Sequence, residues 1–100
     1  MSTNIRIESE KLLERKLKEA IKAKDGLCIK LLSNHFTGLP DRLCLLPGGV
    51  IFFAEIKTTK EEPSKIQKFV HSKLSKLGFN VYTIDNSLLI KKLTGDDVRY

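Results

Sequence analysis

The stretch DRLCLLPGGVIFFAEIK, residues 41–57, decides which fold this chain is expected to adopt. Two apolar runs, 42–46 and 50–57, flank the three residues Pro-Gly-Gly at 47–49. Three-residue loops commonly connect the strands of a β-hairpin when glycine can take a positive φ. The stretch therefore predicts two antiparallel strands joined by a tight turn.

The length of this loop sets the register of the hairpin. A three-residue loop pairs Leu46 with Val50, and the same register carried outward sets Asp41 opposite Glu55. Directly opposed residues point to the same face, with Cβ atoms about 4.5–5.5 Å apart. The hairpin thus predicts two carboxylates at one spot, with Lys57 one step along the same face. A two-residue loop would move Asp41 to the wrong face.

Two carboxylates so close together repel each other unless a positive charge lies between them. A hard divalent cation, Mg²⁺ or Mn²⁺, prefers oxygen ligands and can be held by one or two carboxylates. In the alternative interpretation, Asp41 caps the loop after Pro40 while Glu55 and Lys57 form a surface ion pair. Glu55 interrupts the apolar run VIFFAEI, where a charge is costly, and this favours a metal site.

The remaining pattern predicts an α/β protein with the element order α-β-β-β-α-β-β. Beyond the hairpin, the predicted elements are a helix over 8–24, a strand over 27–32, a helix over 64–77, and strands over 80–84 and 88–93. A helix can then cover each face of a mixed sheet. The 100 residues suit a single domain, 1–100.

Composition narrows the class of partner. The chain carries 18 Lys and Arg against 12 Asp and Glu, a net charge of +6, which favours a polyanion such as nucleic acid. It contains neither a bilayer-length apolar run nor the apolar segment of a secretion signal, so we expect an intracellular, cytoplasmic protein without membrane contact. Cys28 and Cys44 lie in apolar runs and are interpreted as small core residues. A disulfide or a zinc site is not expected.

Pro40-Asp41 followed by Glu55-Ile56-Lys57 is the signature of the PD-(D/E)xK nucleases. The longer segments GLCIKLLSNHFTGLPDRLCLLPGGVIFFAEIK and SKIQKFVHSKLSKLGFNVYTID closely resemble the VRR-NUC (virus-type replication-repair nuclease) family over about residues 10–90. One departure is TTKEEP at 58–63, which replaces a glycine-rich link usual in that family.

The resemblance implies a restriction-endonuclease-like core and hydrolysis of DNA phosphodiesters with one or two Mg²⁺ or Mn²⁺ ions. Stand-alone members resemble homodimeric enzymes that act on branched DNA such as four-way (Holliday) junctions. Carried over by position, the resemblance makes Asp41 and Glu55 metal ligands, joined by the backbone carbonyl of Ile56. Glu14 matches the first-helix glutamate, although helical geometry leaves Glu10 equally possible.

The same resemblance assigns Lys57 and Gln67 as catalytic residues. Lys57 would orient the attacking water or stabilise negative charge on the phosphate. Gln67 also completes a capping box with Ser64, so its side chain can serve the cap or the site. His71 is expected to be structural or exposed.

Candidate DNA contacts are Lys30, His35, Arg42, Lys60, Lys65 and Lys68. The alternative for the lysines is a solvated, solubilising surface. Three rival functions stay open: a protein with a nuclease fold that binds DNA without cutting it, a regulatory subunit of a repair or restriction complex, and a sequence-specific restriction enzyme. No recognition domain is evident for the last.

Overall fold

The computed structural model describes residues 8–32, 34, 36–58 and 62–95. The elements in chain order are α1 (Glu10–Ala23), β1 (Leu27–Lys30), β2 (Arg42–Leu46), β3 (Val50–Ile56), α2 (Lys65–Lys76), β4 (Asn80–Ile84) and α3 (Ser87–Thr94).

The four strands form one mixed sheet in the order β1-β2-β3-β4. β1, β2 and β3 are antiparallel neighbours, whereas β4 runs parallel to β3. A parallel return needs a crossover, and α2 supplies it between β3 and β4. The predicted α/β class with a mixed sheet flanked by helices is confirmed.

The hairpin has the register that the loop length predicts. Leu46 pairs with Val50, and Arg42 pairs with Ala54. Gly48 and Gly49 have φ values of 85° and 78°, which residues with a Cβ adopt only under strain. The two glycines therefore let the chain reverse within three residues and keep the strands in register.

The core lies on one face of the sheet, under α1 and α3. Leu13, Leu17 and Ile21 of α1 are fully buried at helical spacing. They pack with Cys44, Phe52, Ala54, Ile56, Ile84 and Ile90. This single apolar cluster holds β2 and β3 in place, and with them the residues at the ends of these strands.

The last predicted strand, 88–93, is wrong because the segment forms α3. The Asn86 side chain accepts a hydrogen bond of 3.0 Å from the backbone N–H of Leu89, and Gly95 ends the helix at φ 78°. Ile90 is buried against the core. A short apolar run does not distinguish a strand from a buried helix by periodicity, so its N-cap is the deciding signal. The order is therefore α-β-β-β-α-β-α. β1 also ends at Lys30, two residues before the predicted end of that strand.

The opposite face of the sheet carries two cross-strand rows of apolar residues, Leu27–Leu45–Ile51 and Ile29–Leu43–Phe53. We call these six residues the open sheet face. Leu27, Ile29 and Ile51 are 60%, 40% and 39% exposed. Within the described ranges, no helix has both the length and the apolar content that crossing a bilayer requires.

α2 packs beside this open face, against the loop that leads into β2. Gly38 has a φ of 96°, and a Cβ there would lie 2.8 Å from Cγ2 of Val70 and 2.9 Å from the carbonyl oxygen of Ile66. The missing side chain thus allows close approach, and α2 is held above the end of β3.

Candidate functional site

The hairpin carries Asp41 and Glu55 to the same end of the sheet. Asp41 directly precedes β2, and extending the register of Arg42 with Ala54 by one residue sets Asp41 opposite Glu55. Asp41 Oδ2 accepts a hydrogen bond of 2.9 Å from the backbone N–H of Ile56. The pKa of Glu55 is raised, first by burial and then by the negative charge of Asp41. The two carboxylates therefore lie close enough for their negative charges to repel each other.

Glu55 is 1% exposed, and its two carboxylate oxygens have different surroundings. Oε2 accepts a hydrogen bond of 2.8 Å from Gln67 Nε2 and lies 3.6 Å from Lys57 Nζ. Oε1 is buried and has no hydrogen-bond partner among the described residues. A buried acceptor left unsatisfied costs free energy and calls for an explanation, such as a bound ion or water.

The Gln67 side chain makes hydrogen bonds both to the helix cap and to Glu55. Its Oε1 accepts a hydrogen bond of 2.9 Å from the backbone N–H of Ser64, which together with the Ser64 side chain makes a capping box. Its Nε2 donates to Glu55. Because the amide has an acceptor at one end and a donor at the other, the start of α2 is tied to the Glu55 carboxylate.

A cavity of about 360 Å³ opens beside Asp41. Its lining consists of Glu10, Lys11, Glu14, Lys30, Asp41 and Ile56. Both candidate helix glutamates reach this cavity, since they lie one turn apart on α1. The position of the cavity therefore does not choose between Glu10 and Glu14.

Arg42 binds one of these glutamates. Arg42 is 7% exposed, and its Nη2 donates to Oε2 of Glu14. This hydrogen bond is the main cause that lowers the pKa of Glu14. Glu14 is thus ionised and held toward the cavity by a buried cation. Arg42 is a candidate DNA contact by sequence, but little of its side chain is exposed at the surface.

The residues present suit a hard divalent cation. No group of three or more His, Cys, Asp and Glu side chains is arranged to hold a metal within the described part of the chain. Mg²⁺ commonly uses only one or two carboxylates and completes its shell with water and substrate phosphate. The Asp41–Glu55 pair, with its unsatisfied Glu55 oxygen, meets that requirement.

The other sequence-predicted residues are spread around this end of the sheet. Lys57 has a side chain 24% exposed beside Glu55, and Lys30 lines the cavity. Lys65 and Lys68 are exposed on α2, where Lys68 pairs with Glu62 at 2.9 Å. His35 and Lys60 lie outside the described residues.

His71 lies near Asp41, although its sequence position did not predict a place near the site. Its Nε2 is buried without a hydrogen-bond partner among the described residues. Burial lowers the pKa of His71, while the charge of Asp41 acts in the opposite direction. His71 follows Gln67 by four residues, so both share one face of α2. That spacing is the signal that could have drawn attention to it.

Comparison with known proteins identifies the family. No model of a known protein family matches the sequence. A phage protein named "Putative nuclease p44", from Acyrthosiphon pisum secondary endosymbiont phage 1, is 34% identical over 82 residues, which span 82% of this chain and 88% of that protein. A solved structure titled "VRR_NUC domain" superposes with a TM-score of 0.79 at 32% identity, covering 89% of this chain and 97% of the other. The chain therefore belongs, as a phage-type member, to the VRR-NUC domain family.

Proposed function

We propose that this protein is a Mg²⁺- or Mn²⁺-dependent DNA endonuclease that hydrolyses phosphodiester bonds in branched DNA such as four-way junctions. The observation that carries the proposal is the close pair of Asp41 and Glu55. The buried Glu55 Oε1 has no partner among the described residues, and the pKa of Glu55 is raised by burial and by the charge of Asp41. Membership of the VRR-NUC family supports nuclease activity.

One or two metal ions would be held by Asp41, Glu55 and the backbone carbonyl of Ile56, with Glu14 acting directly or through water. Such an ion lowers the pKa of a bound water and offsets charge on the phosphate. Because Arg42 keeps the pKa of Glu14 low, this glutamate stays a charged acceptor at neutral pH. Gln67 holds Glu55 in one orientation, so that Oε1 stays directed away from Gln67.

Lys57 supplies the positive charge for the reaction. Hydrolysis requires a water oxygen to attack phosphorus in line with the leaving oxygen, and negative charge builds on the phosphate. An ammonium group that lies 3.6 Å from Glu55 Oε2 can orient that water or stabilise the developing charge. The net charge of +6 adds non-specific attraction for the DNA backbone.

The test uses labelled linear, flap and four-way-junction DNA with Mg²⁺, Mn²⁺ or EDTA. Metal-dependent cleavage, with preference for the junction, is expected from the natural protein and is lost in Lys57→Ala. Lys76→Ala is the matched control and should cut normally. It removes an exposed ammonium at the last residue of α2, the opposite end of this helix from Gln67. DNA binding without metal-dependent product would instead identify a non-catalytic DNA-binding protein.

Symmetric cleavage of a four-way junction needs two active sites, and we therefore propose a homodimer. The open sheet face supports this, since its six side chains are apolar and three of them are 39–60% exposed. Copies of a chain with charge +6 repel each other, so an uncharged surface is where they can approach.

The dimer is tested by light scattering coupled to size-exclusion chromatography. Leu27→Glu places a charge on the open sheet face and should yield monomers. Leu88→Glu changes a residue that is 58% exposed on α3 and should leave the dimer intact. The reverse pattern would assign the interface to α3.

A further inference from the structure

The two cysteines face each other across adjacent strands. Cys28 of β1 is the register partner of Cys44 of β2, and both thiols are free. Their sulfur atoms are 4.0 Å apart. Neither residue takes part in the nuclease site proposed above.

The hydrogen-bond pattern suits a covalent bridge at this position. The backbone N–H of Leu31 donates to the carbonyl of Asp41 at 2.8 Å, which makes that pair a hydrogen-bonded one. Such pairs alternate with non-hydrogen-bonded pairs along an antiparallel ladder, so Cys28 and Cys44 form a non-hydrogen-bonded pair. In such a pair the Cα atoms lie about 4.5 Å apart, within the range that disulfides span. Closing the bridge requires mainly side-chain rotation.

The two thiols differ in access and in acidity. Cys44 is fully buried, whereas Cys28 is half-buried and reaches a cleft of about 370 Å³. Lys18 and Lys22 line that cleft with Gly26 and Leu27. The hydrogen bond with Cys44 lowers the pKa of Cys28 to about 7, and the pKa of Cys44 is raised. Cys28 is therefore the thiol that an incoming reagent meets as a thiolate.

We propose that Cys28 and Cys44 are a redox modification site, which closes to a reversible cross-strand disulfide by exchange with an anionic low-molecular-weight disulfide of the glutathione class. The cleft beside Lys18 and Lys22 admits this reagent, since the two ammonium groups attract its carboxylates. The proposal is independent of the nuclease function, and its readout is thiol chemistry.

The reaction takes place in two exchange steps. The Cys28 thiolate attacks one sulfur of the reagent, which forms a mixed disulfide and expels one thiolate. Cys44 then loses its proton and attacks Cys28 Sγ, and the second reagent sulfur leaves as a thiolate. The two expelled thiolates take up the two protons that Cys28 and Cys44 release. In sum the protein loses two electrons and two protons, and one reagent disulfide becomes two thiols. A reducing compartment reverses the change, so the bridge is transient there.

The bridge closes a loop of about 15 residues, 29–43, which includes Asp41. A loop of that size is expected to raise the Tm of the oxidised protein by about 15 °C. Reduction with dithiothreitol should return the original Tm.

The experiment treats the reduced full chain with glutathione disulfide and follows free thiols and intact mass. The natural protein should lose both thiols and two hydrogens in mass, without retaining glutathione. Cys44→Ala should stop at a glutathione adduct on Cys28, and Cys28→Ala should not react. Retention of both thiols by the natural protein, or a lasting glutathione adduct on it, would overturn the proposal.

Entry through the cleft is tested by rate. The double variant Lys18→Gln/Lys22→Gln should slow the reaction with glutathione disulfide several-fold more than the reaction with neutral hydroxyethyl disulfide, which loses only the help that Lys18 gives to the Cys28 thiolate. An unchanged rate with glutathione disulfide rejects the cleft as the entry point. Equal slowing of both reagents would also reject the cleft. If Cys44→Ala fails to fold, Cys44→Val replaces it. The intact mass of the oxidised natural protein also tests the disulfide without any variant.

Discussion

Asp41→Asn should stabilise the metal-free protein while it abolishes cleavage. The asparagine keeps the size of the side chain, and its carbonyl oxygen can still accept the hydrogen bond from the Ile56 N–H. What it removes is the negative charge that adds to burial in raising the pKa of Glu55. The repulsion between the two carboxylates is thereby relieved in the folded state.

The size of the effect follows from the separation of the two charges. Directly opposed residues have Cβ atoms about 5 Å apart. Two unit charges at that separation repel by about 3 kcal/mol at an effective dielectric constant of about 20. Because Asp41 is only half-buried, water screens part of this repulsion, and we expect a gain of about 2 kcal/mol, or roughly 10 °C in Tm.

The effect should also depend on pH in a defined direction. A carboxyl whose pKa is raised in the folded state favours folding most below its unfolded pKa, 4.5 for Glu55, and this contribution is lost as pH rises through the folded pKa. The Glu55 contribution should therefore fall as pH rises above about 4.5, while the lowered pKa of His71 makes a contribution that grows as pH rises toward 6.5. Asp41→Asn should lose less of the Glu55 contribution, since one cause of the shift is gone.

The assay is thermal melting in EDTA and again in excess Mg²⁺. Mg²⁺ should raise the Tm of the natural protein, because it binds the folded carboxylate pair, and should leave Asp41→Asn unchanged. Asp25→Asn is the control, since Asp25 is exposed, and its φ of 64° is one that asparagine also tolerates. An Asp41→Asn Tm in EDTA equal to or below that of the natural protein would refute the electrostatic reasoning.

Three further predictions concern the groups around this pair. Gln67→Leu should lower the free energy of unfolding by about 2 kcal/mol and reduce kcat. Ser64→Ala should lower the free energy of unfolding by about 1 kcal/mol and leave the cleavage rate nearly unchanged. Urea unfolding and cleavage rates measure both variants. Arg42→Met should flatten the acid limb of the stability curve, because the lowered pKa of Glu14 stabilises the natural protein above the unfolded value of 4.5 and that contribution is lost as pH falls; equal acid limbs in circular dichroism titrations would contradict this. DNA affinity measured by fluorescence anisotropy in EDTA should fall steeply between low and physiological salt, and Lys65→Gln should reduce the logarithmic salt slope by about 1, so a flat salt response would count against binding through phosphates.

The hairpin was predictable because its determinants are local. Pro47, Gly48 and Gly49 set the turn, and the turn sets the register that opposes Asp41 and Glu55. The dual placement of Gln67 could also be stated in advance, because both the capping box and the family match depend on short spacings.

The last element was mispredicted because its type depends on packing. Leu88, Leu89, Ile90 and Leu93 satisfy a strand and a buried helix equally well by periodicity. The Asn86 cap and the contact of Ile90 with the core decide for the helix. A hydrogen bond at the start of a helix and burial against α1 outweigh the strand preference of the segment.

The amino-acid sequence by itself determined the hairpin, its register and the opposed acid pair, since a bend of three residues dictates which neighbours along the chain meet. Tertiary structure alone decided that Arg42 binds Glu14, that His71 lies near Asp41, and that the sulfur atoms of Cys28 and Cys44 are 4.0 Å apart. These contacts join separate elements, and their distances depend on strand order and helix packing, which no local spacing encodes.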